Sequence, residues 1–242
     1  MRAVEQFQTL ECISNPVGGP LISTAKWTGV PLRDLLERAG VRPGAAEVVF
    51  RQFAGEYSDS IGLAEAMEPE VLVAVGMNGR VLPREHGSPA RVLIPGVYGM
   101  KMVKWLGDVE VVDAPHVGYW ERRGWSKGAI VKTTSRIDTP ADRADVPAAV
   151  TVAGVAFAGS RGVSRVEVSG DAGRTWQLAE PCRPLSPLTW VLWQARIALP
   201  GAATTVVVRA YDGSGRPQTA QEARPHPDGA SGYDSRSVTV ER

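Results

Sequence analysis

The sequence predicts a mixed α+β domain followed by an all-β sandwich of immunoglobulin-like size. Three observations carry this expectation. Before about Thr139 a single helical pattern stands among short strand patterns with no regular alternation, which argues against a doubly wound parallel sheet. From about Thr139 onward no segment has helical periodicity, and short strand-like runs follow one another between turn signals. The length of 242 residues suits two unequal units better than one. The expected boundaries are 1–138 and 139–242.

In chain order, Pro31–Gly40 reads as a helix. Pro31 suits its first turn, Leu32, Leu35 and Leu36 share one face, and Gly40 suits the position past its end. Glu47–Phe53 is β-branched and aromatic, Val71–Val75 is a short buried-type run, and Asn78–Gly79 between apolar stretches signals a hairpin. Arg91–Ile94 and Val109–Val112 complete the strands of the first domain. Pro140–Pro147 has the Pro, Ala and Asp content of a linker. The sandwich strands are expected at Ala149–Phe157, Val163–Ser169, Thr175–Leu178, Trp190–Ile197, Thr204–Tyr211 and Ser235–Glu241. Trp176, Trp190 and Trp193 are expected in its core.

Composition narrows the function. The net charge is +1 and no basic stripe is visible, so a nucleic-acid partner is not expected. No apolar run approaches the ~20 residues of a membrane helix, and MRAVEQFQTLEC lacks a signal-peptide core. As written the chain reads as cytoplasmic; a longer parent could be extracytoplasmic or membrane-attached. P-loop, dinucleotide-binding, H-E-x-x-H and G-x-S-x-G patterns are absent. His86, His116 and His226 are too scattered for a zinc site, and neither cysteine belongs to a C-x-x-C pattern. What remains is Cys12, in TLECISN, and the stretch 77–106, which carries Arg84, His86, Arg91, Lys101 and Lys104 among glycines and prolines. Several donor-only cations in so short a stretch suit an anionic ligand such as a phosphate. Cys182 reads as a small buried hydrophobe.

TLECISN resembles the T-L-x-C-x-x-N segment of the sulfite oxidase family of molybdenum enzymes, and LPREHGSPARVLIPGVYGMKMVKWL resembles its L-P-R-x-H-G-x-P-x-R block. The SGDAGRTW and WVLWQ segments look like the family's dimerisation domain. The resemblance implies a molybdenum–molybdopterin cofactor, with Cys12 as the metal's thiolate ligand beside the two dithiolene sulfurs. It implies that His86, Arg91 and Lys104 contact the pterin and its phosphate, and that Asn15 fixes the loop after the cysteine. It also implies two-electron oxygen-atom transfer, a homodimer, and a separate electron-transfer partner.

Three departures from the family pattern stand out. Val17 occupies a position where sulfite-oxidising members carry an arginine, and Trp125 stands at the position of a tyrosine near the metal. An indole donates but does not titrate as a phenol does. Both changes point away from sulfite and toward another small oxyanion, a sulfoxide or another S- or N-oxide. Third, only eleven residues precede Cys12, where the family has part of its pterin pocket. The expectation from this is an incomplete cofactor domain with weak cofactor retention. The alternative reading is a non-catalytic, cofactor-free remnant acting through its β-sandwich as an interaction module. A nitrate-reducing relative shares the fold, but no haem or flavin module is attached.

Overall fold

A computed structural model of the chain describes residues 1–241. The chain forms two compact units. The first comprises Met1–Ile13 and Ser23–Ile130; the second comprises Ser14–Ile22 and the chain from Val131 onward.

In the first unit the chain runs through β1 (Val4–Glu11), β2 (Ile22–Pro31), α1 (Leu32–Ala39), β3 (Glu47–Gln52), β4 (Ser58–Gly62), α2 (Leu63–Ala66), β5 (Leu72–Met77), β6 (Arg80–Val81), β7 (Arg91–Leu93) and β8 (Leu106–Val112). One sheet has the order β1-β2-β5-β6, with β7 also paired to β5; a second has the order β4-β3-β8. Helix α1 starts after Pro31 and stops at Gly40, whose φ of 78° lets its N–H reach back to the Leu36 and Glu37 carbonyls. It buries Leu32 and Leu36, the shared face that the leucine spacing predicts. Asn78 and Gly79 both take positive φ and close the β5–β6 hairpin. The core gathers Trp27, Phe50, Leu72, Leu82, Val92 and Leu93 from both sheets. Each such side chain contributes about 1.5–3 kcal/mol by leaving water.

The second unit contains β9 (Thr134–Thr139), β10 (Ala144–Val146), β11 (Ala149–Phe157), β12 (Val163–Ser169), β13 (Gln177–Leu178), β14 (Glu180–Pro181), β15 (Val191–Ala198), β16 (Ala203–Asp212) and β17 (Asp234–Val240). Its two sheets have the orders β10-β17-β16-β12-β13 and β14-β15-β11-β9. Alternation along β15 is strict: Val191, Trp193, Ala195 and Ile197 point inward, and the residues between them face water. Both sheets contribute to one core, as in a sandwich.

Four sequence expectations need correction here. The linker-like stretch Pro140–Pro147 contains β10, which pairs in parallel with β17 and closes that edge of the sheet. The strand expected at Thr175–Leu178 shortens to Gln177–Leu178. The Asp171 carboxylate takes the backbone N–H groups of Arg174 and Thr175 and holds them in a turn. Of the three tryptophans expected in the core only Trp193 is fully buried. Trp176 lies half-exposed beneath the Arg209 guanidinium, 4.0 Å from its ring centroid, and Trp190 is also half-buried. Cys182 is exposed rather than buried, and its N–H donates to the Leu192 carbonyl at 2.7 Å.

Candidate active site

The cationic stretch folds as a turn (Arg84–His86), then β7, then a second turn (Gly99–Lys101) and β8. Backbone bonds tie its two halves together: Val92 N–H to Val103 O at 3.0 Å, Trp105 N–H to Gly87 O at 3.1 Å, and Leu106 N–H to Ala90 O at 2.8 Å. Gly87 is required where it stands. Its φ is 111°, and a side chain there would meet Lys104 at 2.9 Å.

This frame turns Arg91 inward, to 5% exposure. Its guanidinium donates to the His86 carbonyl at 3.1 Å, makes a long 3.5 Å contact to the Met102 carbonyl, and lies 5.3 Å from the Trp27 ring centroid. Its Nε–H is buried without a partner. Burial pulls the guanidinium down to about 10. Lys104 stands beside it, half-buried, donating to the Glu85 carbonyl at 3.0 Å and lying over the Trp105 ring. Burial and then the Arg91 charge lower its pKa. Among the described residues no carboxylate pairs with either cation. A buried charge held only by carbonyls costs folding free energy, so the arrangement fits an anionic ligand that supplies the missing counter-charge. Arg91 thus lies between the His86 backbone and Lys104. Arg84 is exposed, and its carbonyl accepts the Trp105 indole N–H at 2.9 Å.

Lys101 is the exception in that stretch. It is 3% exposed and turns away from Arg91 into an acidic pocket. Its ammonium donates to Asp59 Oδ1 at 2.6 Å, the Ser60 carbonyl at 3.0 Å and Glu121 Oε1 at 2.8 Å, which uses all three N–H groups. Glu121 Oε2 accepts the Gly118 N–H at 3.0 Å. Asp59 Oδ2 is buried with no partner. Burial raises Asp59 to about 6 against the pull of the Lys101 ammonium, and the Glu121 charge adds to the rise. The Asp59 carboxylate lies so close to Gly118 that a Cβ at residue 118 would meet it at 3.0 Å.

Cys12 follows directly on β1 and is exposed, which suits a ligand and not a core thiol. Tyr57 lies within electrostatic reach of it; burial, then Asp59 and then Cys12 push the phenol well above its ordinary value. The Tyr57 hydroxyl donates to the Met100 carbonyl at 2.6 Å and accepts from the Trp120 indole. From Tyr57 an aromatic wall continues through Tyr119 (5.3 Å between ring centroids) and Trp120 (5.2 Å further) to Trp125 (6.5 Å further). Trp125 stands at the far end of this wall, in contact with Trp120. Tyr57 and Asp59 opened no motif; only their place at the start of a buried strand, YSDSI, hinted at them. Gly99 packs on the Glu11 carbonyl beside Cys12, so the segment from Gly99 to Lys104 joins the cysteine end of the site to the cationic end.

Asn15 lies in the second unit and is buried. Its amide oxygen accepts the Leu21 N–H at 2.9 Å, which closes the loop after Cys12. Val17 in the same loop lines an open groove of about 570 Å³ with Pro16, Arg224, Tyr233 and Asp234.

The loop that carries Trp120 and Trp125 is anchored by Glu47. Its carboxylate accepts Lys127 Nζ at 2.7 Å, the His116 N–H at 2.9 Å and the Ser60 hydroxyl at 2.8 Å. Burial alone would raise its pKa, but these three partners hold it down to about 2. A lowered carboxylate stabilises the fold above its unfolded value near 4.5, and that contribution is lost as pH falls toward 2. In acid titrations of stability, Glu47→Gln is therefore expected to fall below wild type at pH 6 and converge with it near pH 2. A constant gap across that range would remove Glu47 as the acid-sensitive anchor.

Among the described residues no three His, Cys, Asp or Glu side chains form a metal cage, and no helix is long and apolar enough to cross a membrane. Residues 1–120 match a family model described as an oxidoreductase molybdopterin binding domain, and residues 127–224 match a Mo-co oxidoreductase dimerisation domain. The human mitochondrial sulfite oxidase is 39% identical over 225 residues, covering 79% of this chain and 41% of that protein. An Arabidopsis thaliana sulfite oxidase is 31% identical over 81% of this chain and 62% of its own length. A Volvox carteri NADH nitrate reductase is 32% identical over 78% of this chain and 28% of its own length. The chain thus spans about two fifths of the human relative. In fold it matches the sulfane dehydrogenase SoxCD from Paracoccus pantotrophus, with a TM-score of 0.84 over all of this chain and 72% of that one, at 22% identity. With the cofactor-domain and dimerisation-domain models matched in order along most of its length, the chain belongs to the sulfite oxidase family of molybdopterin oxidoreductases.

Proposed function

We propose that the first unit holds a molybdenum–pterin cofactor through His86, Arg91 and Lys104, with Cys12 as the metal's thiolate ligand, and performs two-electron oxygen-atom transfer. The observation that carries this is the buried Arg91 guanidinium, which has carbonyl contacts but no carboxylate. The chemistry the cofactor supplies when bound is the exchange of an oxygen atom and two electrons between substrate and water. Arg91 and Lys104 would neutralise its anionic tail, and Trp27 and Trp105 would keep water from the two cations. Tyr57, Trp120 and Trp125 would border the substrate on the cysteine side.

The substrate we infer is a sulfoxide, another S- or N-oxide or a small oxyanion other than sulfite. Val17 brings no charge to its loop, and Trp125 offers an indole N–H where the family has a phenol. Electrons would pass to or from a separate protein. The second unit, read as an immunoglobulin-like sandwich, would pair two copies of the chain. The dimerisation-domain match supports this, as do the exposed Leu178 and Leu192 on its strands.

Arg91→Met tests the cofactor assignment. A charge-assisted bond is worth about 1.5–3 kcal/mol, so cofactor affinity should fall roughly ten- to hundredfold. Elemental analysis at matched cofactor supply should show the molybdenum content dropping, while the thermal midpoint of the cofactor-free protein barely moves. Molybdenum content equal to wild type would remove Arg91 from the site.

A further inference from the structure

The acidic pocket around Lys101 has no place in cofactor binding as described above, yet its ammonium meets three acceptors at once. Its three side chains come from three separate segments: Asp59 from β4, Lys101 from the turn Gly99–Lys101, and Glu121 from the turn Glu121–Arg123. Each of those segments carries a residue of the Cys12 neighbourhood. Tyr57 immediately precedes β4, Met100 directly precedes Lys101, and Trp120 directly precedes Glu121. The Tyr57 hydroxyl is held between the Met100 carbonyl and the Trp120 indole, so its position depends on both turns. The Lys101 ammonium ties all three segments together at once.

We propose that Lys101 is a positioning residue for oxygen-atom transfer: by drawing Asp59 and Glu121 together it fixes the Tyr57 hydroxyl and the Trp120 indole beside Cys12. The ammonium touches neither Cys12 nor the Arg91–Lys104 cluster, and it acts through the backbone of its neighbours. Its fixity follows from burial. Three donors meet three acceptors, and Lys101 and Asp59 are buried, so the ammonium is held in one arrangement. The close approach of Gly118 to the Asp59 carboxylate holds the aromatic turn against the same pocket. This inference rests on the functional reading above only for the reaction it serves. The positioning itself concerns side chains of this chain alone.

The test uses the full chain labelled with 5-fluorotryptophan, its fluorine signals assigned by single Trp→Phe substitutions. The variant is the uncharged triple change Asp59→Asn, Lys101→Met and Glu121→Gln, which keeps the side-chain shapes and leaves no buried ion uncompensated. The expected result is a Trp120 signal that shifts or splits while the Trp193 signal stays. In the cofactor-loaded protein kcat should fall roughly tenfold or more, with KM less affected. Molybdenum content should remain at the wild-type level. A folded triple variant with an unmoved Trp120 signal overturns the proposal, and so does a moved signal with unchanged kcat. Should the triple variant fail to fold, Asp59→Asn alone leaves one carboxylate for one ammonium, and the same signals decide. Should loaded wild-type protein show no oxygen transfer, the functional reading fails on that result, while the fluorine spectra still decide whether Lys101 positions the wall.

Discussion

Cys12→Ser is expected to abolish cofactor-dependent oxygen transfer while leaving the protein folded. The two halves of that statement have separate physical grounds. Cys12 is exposed and follows the last residue of β1, so its replacement by a side chain of similar size removes little packing. Surface substitutions of this kind stay within about 0.5 kcal/mol, and the thermal midpoint should hardly change. A serine oxygen is a hard, weakly acidic donor where a soft thiolate is wanted. Outer-shell changes at metal sites already cost ~10- to 100-fold, and loss of a direct ligand should cost more than about a hundredfold in turnover. Steady-state assays with an S- or N-oxide, beside circular dichroism, separate the two halves. Equal turnover with and without the thiol would show that the metal, if bound, is held without Cys12.

The single change Lys101→Met is expected to have the largest effect on stability. It leaves Asp59 and Glu121 facing each other in a pocket that water does not enter. Breaking a buried pair by removing one partner costs about 3–5 kcal/mol, because a charge is left without compensation. Replacing the whole cluster by neutral groups of similar volume is often close to neutral. Urea unfolding at pH 7 should therefore place Lys101→Met well below wild type and the uncharged triple variant near it. The loss should shrink as pH is lowered toward 5. Asp59 is already displaced upward to about 6, and a proton on it removes part of the repulsion. A raised carboxylate contributes stability that is full below its unfolded value and lost as pH rises through its folded value. A penalty that grew on acidification would contradict the charge assignment.

Much of the architecture is readable in the sequence because local rules and global packing agree there. The leucine spacing of α1, the Asn78–Gly79 turn and the alternation of β15 each state their structure directly. The closeness of Arg91 and Lys104 is readable too, since they fall within one stretch whose glycines and prolines force turns. The neighbours of Cys12 are not. Tyr57 reaches the Met100 carbonyl, and Asp59 and Glu121 reach Lys101, across sequence separations of 20–43 residues, and no spacing rule encodes such contacts. Lys101 shows the same limit: counting charges in the stretch does not show that a buried acid has already claimed this one. Composition misleads at Pro140–Pro147, because a Pro- and Asp-rich stretch can still supply an edge strand when a sheet offers it a partner.

A single thiolate of this chain, Cys12, is proposed to bind the metal of an anionic cofactor held by Arg91 and Lys104. Molybdenum K-edge X-ray absorption on cofactor-loaded wild type and Cys12→Ser, at equal metal content, tests it most directly. The variant should lose one sulfur scatterer from the metal's shell and keep the two dithiolene sulfurs. An identical sulfur shell in both proteins would contradict it.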